Sequence, residues 1–385
     1  MAVEFKKWLE NRHDVVKEWK EKNKKDVFGC LCCITPEEII YAADALPVRI
    51  TGSSEKLEMV DSRAPIYACP FLRSCLDLAG RGIYDYLDGV VIPNACDFTA
   101  RMDYWWRKLV PRANPAQQGV ELCPYVLYIK HPEKIGGEMS FNYLRGEYRI
   151  FKQHLERRRG HFKPISDDML SNAISVYNEH YGLMEQLTQL RKRGLVSGSE
   201  AFEAEFASLL MPKNEHNELM KQYLGEVSQR EPKDGVRVYL LGGGVDQISY
   251  MIYKVIEECG GNVVYEDVGV GRSYFGRKID TSKPPLDAII EHRLDVRCPH
   301  CITEDRFPED RFIFARDRIE GANVKGVMWF APLYCECRNL EYPFTRDRLK
   351  EVLNIPALYL EHDYTLEGIG QLKPRIETFM EMVKS

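Results

Sequence analysis

Cysteine offers the most chemistry in this sequence, which carries twelve of them in 385 residues. Those that can be placed fall where a strand-like run gives way to a helix. Cys30, Cys32 and Cys33 close the run Val27-Phe28-Gly29, and Cys69 follows Ala64-Pro65-Ile66-Tyr67-Ala68. Cys96 follows Gly89-Val90-Val91-Ile92-Pro93-Asn94-Ala95, and Cys335 and Cys337 follow Gly326-Val327-Met328-Trp329-Phe330-Ala331-Pro332. In an open parallel α/β sheet, ligands collect beyond the carboxyl ends of the strands. Soft thiolates match iron, and a helix N-terminus just past a cysteine stabilises its thiolate and a negative cluster. The arrangement reads as one buried multi-cysteine site, an iron–sulfur cluster held between two α/β domains. Cys69, Cys96 and Cys335, from three separate junctions, are its strongest members. Buried cysteine also serves as a small hydrophobe, and that is the competing reading for each thiol.

No CxxCxxC run is present, so a ferredoxin module is excluded and the site must be assembled by tertiary folding. Cys298-Pro299-His300-Cys301 has the spacing of a thioredoxin-like dithiol, but Leu286–Leu294 before it reads as helix rather than strand. Zinc held by Cys298, Cys301, Cys335 and Cys337 is a further alternative, at a spacing far longer than a zinc ribbon's. Cys75, Cys123 and Cys259 read as structural, the first and last on helices and Cys123 in a strand.

Val238–Gln247 has the pattern strand, glycine turn, helix start. Gly242, Gly243 and Gly244 let backbone approach a cofactor or a substrate carbonyl, without matching a dinucleotide fingerprint or a P-loop. Asp97 and Glu336 stand beside the proposed ligands as helix caps or proton relays. His131 and His300 are candidate proton donors or structural histidines. Tyr104-Trp105-Trp106 is expected to pack in the core or at a contact between subunits.

These residues need elements to carry them. Residues 1–26 read as a charged amphipathic helix. Strands are expected at Val27–Leu31, Pro47–Thr51, Pro65–Ala68, Gly89–Ile92 and Val120–Ile129, with helices between them, which implies a parallel sheet. A second set is expected at Val236–Leu241, Asn262–Tyr265, Gly326–Phe330 and Ala357–Leu360, with helices near 246–258, 308–320, 345–352 and 366–384. Charged, helix-periodic sequence lies between the two sets, and its Arg157-Arg158-Arg159-Gly160 and Arg191-Lys192-Arg193-Gly194 runs read as solvated helix ends. The fold class is α/β: two Rossmann-like parallel-sheet domains, 1–145 and 235–385, flank a helical segment, 146–234, with the cluster in the interdomain cleft.

At 44% hydrophobic and 29% charged residues, with a net charge of −5, the composition is that of an ordinary globular protein. Nothing in it argues for nucleic acid. The first ten residues have no apolar core of the signal-peptide kind, and no run nears the ~18 apolar residues of a membrane span. A cytoplasmic location is expected, where clustered cysteines more often bind metal or do redox chemistry than form disulfides.

Several segments resemble the cluster-bearing subunits of the benzoyl-CoA reductase and 2-hydroxyacyl-CoA dehydratase family. They are Cys32-Cys33-Ile34-Thr35-Pro36-Glu37-Glu38-Ile39-Ile40-Tyr41-Ala42-Ala43, Cys69-Pro70-Phe71-Leu72-Arg73-Ser74 and Asp88 to Asp97 in the first half. Leu360-Glu361-His362-Asp363-Tyr364 and Gly370 to Glu377 follow near the end. The resemblance implies an α/β subunit that pairs with a like subunit, identical or homologous, and receives single electrons from an ATP-hydrolysing iron–sulfur activator. The chain's lack of a Walker motif agrees with ATP hydrolysis by a partner. In the ordinary dehydratase pattern three cysteines hold one [4Fe–4S] cluster, and they match Cys69, Cys96 and Cys335. The additional Cys30, Cys32, Cys33, Cys298 and Cys301 are similar to the branch with a double-cubane [8Fe–9S] cluster. That likeness implies Cys32, Cys69, Cys96, Cys301 and Cys335 as ligands, with Cys30 or Cys298 completing the set. The implied activity is reduction of a small or acyl-CoA substrate. The alternatives are dehydration of a 2-hydroxyacyl-CoA through a ketyl radical, or electron relay alone.

Overall fold

A computed structural model of the chain describes residues 2–113, 125–158, 163–242, 246–268, 272–295 and 309–384. The charged N-terminus forms two helices rather than one, α1 (Ala2–Glu10) and α2 (Arg12–Asn23). The alternating region follows as β1 (Val27–Cys30), α3 (Glu37–Ala42), β2 (Leu46–Arg49), α4 (Pro70–Gly80), β3 (Gly89–Pro93), α5 (Asp97–Ala113) and β4 (Tyr125–Ile129). Four helices come next: α6 (Gly137–Arg158), α7 (Asp167–Lys192), α8 (Gly198–Ser208) and α9 (Lys213–Val227). The second alternating region is β5 (Val236–Gly242), α10 (Gln247–Glu258), β6 (Gly261–Asp267), α11 (Arg272–Phe275), α12 (Pro285–Leu294), α13 (Glu309–Glu320), β7 (Gly326–Pro332), α14 (Glu336–Arg348), β8 (Ala357–His362) and α15 (Leu366–Lys384). No helix among the described residues is long and apolar enough to cross a membrane.

The strands make two parallel four-stranded sheets, in the orders β2-β1-β3-β4 and β6-β5-β7-β8. This is the two-sheet Rossmann-like plan expected from the sequence, and the two orders are the same when read from β1 and from β5. Strands β1, β3 and β7 are buried along their whole length, as parallel strands covered on both faces must be. In each sheet the order reverses beside the first strand, between β1 and β3 and between β5 and β7. Such reversals leave a crevice beyond the strand ends because the two connections leave in opposite directions.

Three local expectations are corrected. Pro65–Ala68 is not a strand: Ala68 donates its N–H to the Pro65 carbonyl in a turn, and Ile66 and Tyr67 are 74% and 61% exposed. A proline at that position supplies no ladder donor, and the residues serve as a lead-in to α4. The helix expected at 345–352 begins at Glu336, runs through Pro343 to Arg348 and loosens into a π-turn over Leu349–Leu353. Arg191 is not a solvated helix end. It is 2% exposed, donates from Nε to the Val263 carbonyl and pairs with Glu266 and Glu205, tying the helical segment to β6. Of the other basic run, Arg159 and Gly160 lie outside the described residues, as does Cys123.

Burial pushes the Glu205 carboxyl up to about 7, against the opposing pull of Arg191. Its folded-state value lies above the unfolded one, so the folded chain binds the extra proton between about pH 4.5 and 7. Stability on this account falls as pH rises through that window and is level above it. Glu205→Gln is therefore expected to be more stable than the parent at pH 8, by on the order of 3 kcal/mol, and equal to it near pH 4. Urea midpoints at the two pH values check this; a Gln variant less stable at pH 8 would contradict it.

Candidate functional site

Two of the thiols sit at strand ends next to the two order reversals, and the third opens a helix. Cys96 lies between β3 and α5, and Cys335 is the N-cap of α14 after β7. Cys69 is the N-cap of α4, with Pro70 in the first turn, a position that proline's fixed φ favours. Each of the three therefore stands at the partially positive end of a helix.

They are close enough to affect one another. Burial first, then the neighbouring Cys335 and Cys96, raise the Cys69 thiol well above its usual range. Burial likewise raises Cys335, against the backbone N–H and guanidinium of Arg338. Cys96 moves the other way, to about 7: the Cys337 thiol donates to its sulfur, and Thr99 and Phe98 add further hydrogen bonds. The Thr99 N–H lies 3.4 Å from that sulfur, and the Thr99 hydroxyl oxygen accepts from the Cys96 N–H at 2.6 Å. Cys69, Cys96 and Cys335 are thus brought together, and Cys337, one of the thiols expected at this strand end, joins them as a hydrogen-bond donor. Arg338 was missed altogether. It is buried between Glu341 (3.4 Å) and Asp267 (3.9 Å), and its place three residues after Cys335, one helical turn on, was the available signal.

The second group of thiols is at the end of β1. Cys30 is fully buried, its sulfur 3.8 Å from the Phe28 carbonyl, and burial, then Glu37, raises its thiol well above the usual range. The sulfurs of Cys32 and Cys33 are 3.9 Å apart. Beneath them lies a buried ionic network. Arg49 donates to Glu37 at 3.2 Å, Lys213 lies 3.6 Å from the other Glu37 oxygen, and the Tyr274 hydroxyl donates to that carboxylate as well. Arg293 donates to both Glu38 oxygens at 2.6 Å and to the Cys33 carbonyl at 3.0 Å. Cys298, Cys301 and His300 lie outside the described residues.

The other nominated residues divide. Gly242 is required: a Cβ there would stand 2.1 Å from the Phe330 carbonyl oxygen on β7. Gly243 and Gly244 lie outside the described residues. Asp246, just past the turn, is the N-cap of α10, accepts from the Ile248 N–H at 3.0 Å, and also accepts from the Tyr364 hydroxyl. His131 is held neutral by burial, which lowers it to about 4, and its Nε2 lies 3.2 Å from the Tyr148 hydroxyl. That environment makes it a structural residue. Asp97 and Glu336 are exposed in the first turns of α5 and α14. Trp106 is fully buried and Tyr104 is 62% exposed. His362 was overlooked: it stacks on Phe330 at 3.9 Å, burial lowers it to about 3, and its Nε2 has no hydrogen-bond partner among the described residues.

An open cavity of about 550 Å³ adjoins this region. Ser53, Asp61, Pro70 and Arg73 line it from the first half, and Asp363 and Tyr364 from the second. It reaches the residue next to Cys69.

Among the described residues no three His, Cys, Asp or Glu side chains close on a single metal ion. A cluster makes a different demand, because each thiolate meets its own iron and the sulfurs surround a larger body. Soft donors, buried surroundings, helix N-termini and hydrogen bonds to sulfur suit that body.

Residues 32–383 match the family model described as 2-hydroxyglutaryl-CoA dehydratase, D-component. The chain is 27% identical over 378 residues to a benzoyl-CoA reductase subunit of Thauera aromatica, covering 96% of this chain and 94% of that one. It is 25% identical over 382 residues to the (R)-phenyllactyl-CoA dehydratase beta subunit of Clostridium sporogenes (98% and 97% covered). With the beta subunit of the (R)-2-hydroxyglutaryl-CoA dehydratase of Acidaminococcus fermentans it shares 22% over 395 residues (99% and 98%).

Proposed function

The chain belongs to the 2-hydroxyglutaryl-CoA dehydratase D-component family, and on that footing we propose that it is the iron–sulfur subunit of an ATP-dependent, low-potential reductase acting on a small or acyl-CoA substrate. The observation that carries the reading is the meeting of Cys69, Cys96 and Cys335, each at a helix N-terminus and drawn from both sheets. These three would hold one cubane. Cys32 and Cys301, with Cys30 or Cys298, extend the set toward the [8Fe–9S] double cubane. When bound, the cluster supplies single electrons at low potential, a value tuned by burial and by hydrogen bonds to sulfur.

The chain's own part is to hold and shield. The Thr99 N–H and Cys337 thiol donate to the Cys96 sulfur, and Gly242 keeps β5 and β7 in close approach. The cavity beside Pro70 is where the substrate enters, which favours an enzyme over a pure electron relay. The partners are a like subunit, identical or homologous, and an ATP-hydrolysing iron–sulfur activator. The location is the cytoplasm, with neither nucleic acid nor membrane engaged.

The test is anaerobic purification with iron and acid-labile sulfide counts and an electron paramagnetic resonance (EPR) spectrum. About eight irons and nine sulfides per chain is the expected result, about four of each would return the site to the three-cysteine cluster, and no iron would sink the reading. Two of the relatives are named as dehydratase subunits, which favours a second reading as a 2-hydroxyacyl-CoA dehydratase subunit. The two readings part on electron demand: a reductase consumes electrons in proportion to product, a dehydratase only catalytically.

A further inference from the structure

The ionic network under the end of β1 has an imbalance of charge. Arg49, Lys213 and Arg293 are 4%, 2% and 0% exposed, and Glu37 and Glu38 are 2% and 0% exposed. Glu37 serves Arg49 and Lys213 together, while Glu38 pairs with Arg293 and accepts from the Tyr181 hydroxyl. Among the described residues these are the carboxylates that pair with the three cations, so three buried positive charges face two negative ones.

A buried charge without a counter-charge is costly, by several kcal/mol per ion after relaxation. Aromatic faces meet part of the demand: Arg49 lies over Tyr274 at 5.1 Å, and Lys213 over Tyr177 and Tyr274 at 5.4 and 5.6 Å. Rings carry no net charge, so the excess remains. It lies on the side of the thiols, since Arg293 reaches the Cys33 carbonyl and Arg49 feels Cys33 and Cys32 as its next charge partners after Glu37 and Tyr274. A compensating negative charge belongs there, and the thiols, as thiolates on iron, are the groups able to bring one.

We propose that Arg49, Lys213 and Arg293 are positioning residues that make the end of β1 an electropositive seat for part of an anionic, thiolate-bound iron–sulfur cluster, with Cys32 and Cys33 facing it. Their excess charge favours the reduced, more negative form and so raises the cluster's reduction potential. The inference rests on the iron–sulfur reading above and adds what that reading leaves open: which residues compensate the cluster's charge, and from which side.

The experiment uses the full chain, purified without oxygen, with iron counted and the potential measured by EPR-monitored redox titration. Lys213→Met removes one positive charge while leaving Glu37 paired with Arg49. It is expected to keep its iron and to titrate at a more negative potential than the parent, with Lys213→Arg returning toward the parent value. Glu37→Gln, an isostere that spares the packing, removes a negative charge and is expected to shift the potential the opposite way. It also serves as the reading should the Met variant fail to fold. Opposite shifts at full iron content support the proposal, because a merely structural role would change occupancy and leave the potential alone. Iron-loaded parent and variants with one common potential would overturn it while leaving the cluster reading intact. A parent chain without iron would overturn both.

Discussion

Replacing Arg293 with methionine is expected to destabilise the protein by about 3–5 kcal/mol, the range for removing one partner of a buried ion pair. Arg293 and Glu38 are both fully buried. The guanidinium satisfies both carboxylate oxygens at 2.6 Å and the Cys33 carbonyl at 3.0 Å, a residue 260 positions away. Methionine fills much of the volume but leaves the buried Glu38 carboxylate without its ion-pair partner, with the Tyr181 hydroxyl at 3.0 Å as its remaining hydrogen-bond donor. Most of the loss is thus the cost of an orphaned charge. Adding Glu38→Gln should recover a large part of it, because the amide keeps an acceptor for Tyr181 and carries no charge. Urea midpoints of parent, both single variants and the double variant close the cycle. A single Arg293→Met variant within about 1 kcal/mol of the parent would show that the pair does not hold the two halves of the chain together.

That pair also marks where reading the sequence stops. The strand ends and their thiols were legible, because buried parallel strands read as apolar runs and the first helical residues follow at once. The same strand-to-helix logic placed Cys96 and Cys335 correctly. At Cys69 it gave the right helix for the wrong reason: Ala64–Ala68 has the apolar composition of a strand, yet Pro65 supplies no ladder donor and the segment turns instead. Glu37 and Glu38 were visible only as acids at a helix start, a use that explains such residues locally. Nothing local to Glu38 points to Arg293, 255 residues on, and nothing local to Arg191 says that its helix end is buried against β6. Charge partners distant in sequence leave no periodic trace, whereas strands and helices do. Burial of a charge is decided by tertiary packing, so the network under β1 emerges only once the elements are assembled.

The largest effect expected at the site itself comes from serine at three positions. Cys69 and Cys335 are helix N-caps, and serine is among the residues favoured there, since its hydroxyl accepts from the exposed N–H groups of the first turn. If these cysteines were only small buried hydrophobes, Cys69→Ser and Cys335→Ser would keep the fold and change little else. As ligands they behave differently: a hydroxyl is a harder and far less acidic donor than a thiol, and a poor match for iron in a cluster. Each of Cys69→Ser, Cys96→Ser and Cys335→Ser is therefore expected to lose most of the iron bound by the parent while melting within a few degrees of the iron-free parent. Cys259→Ser is the control. That residue caps α10 far along the chain from the strand-end thiols and is partly exposed, so its iron content should equal the parent's. Iron per chain and thermal melts on the same anaerobic preparations separate the two roles. Full iron in all three variants would return these cysteines to the core, however well the strand ends present them.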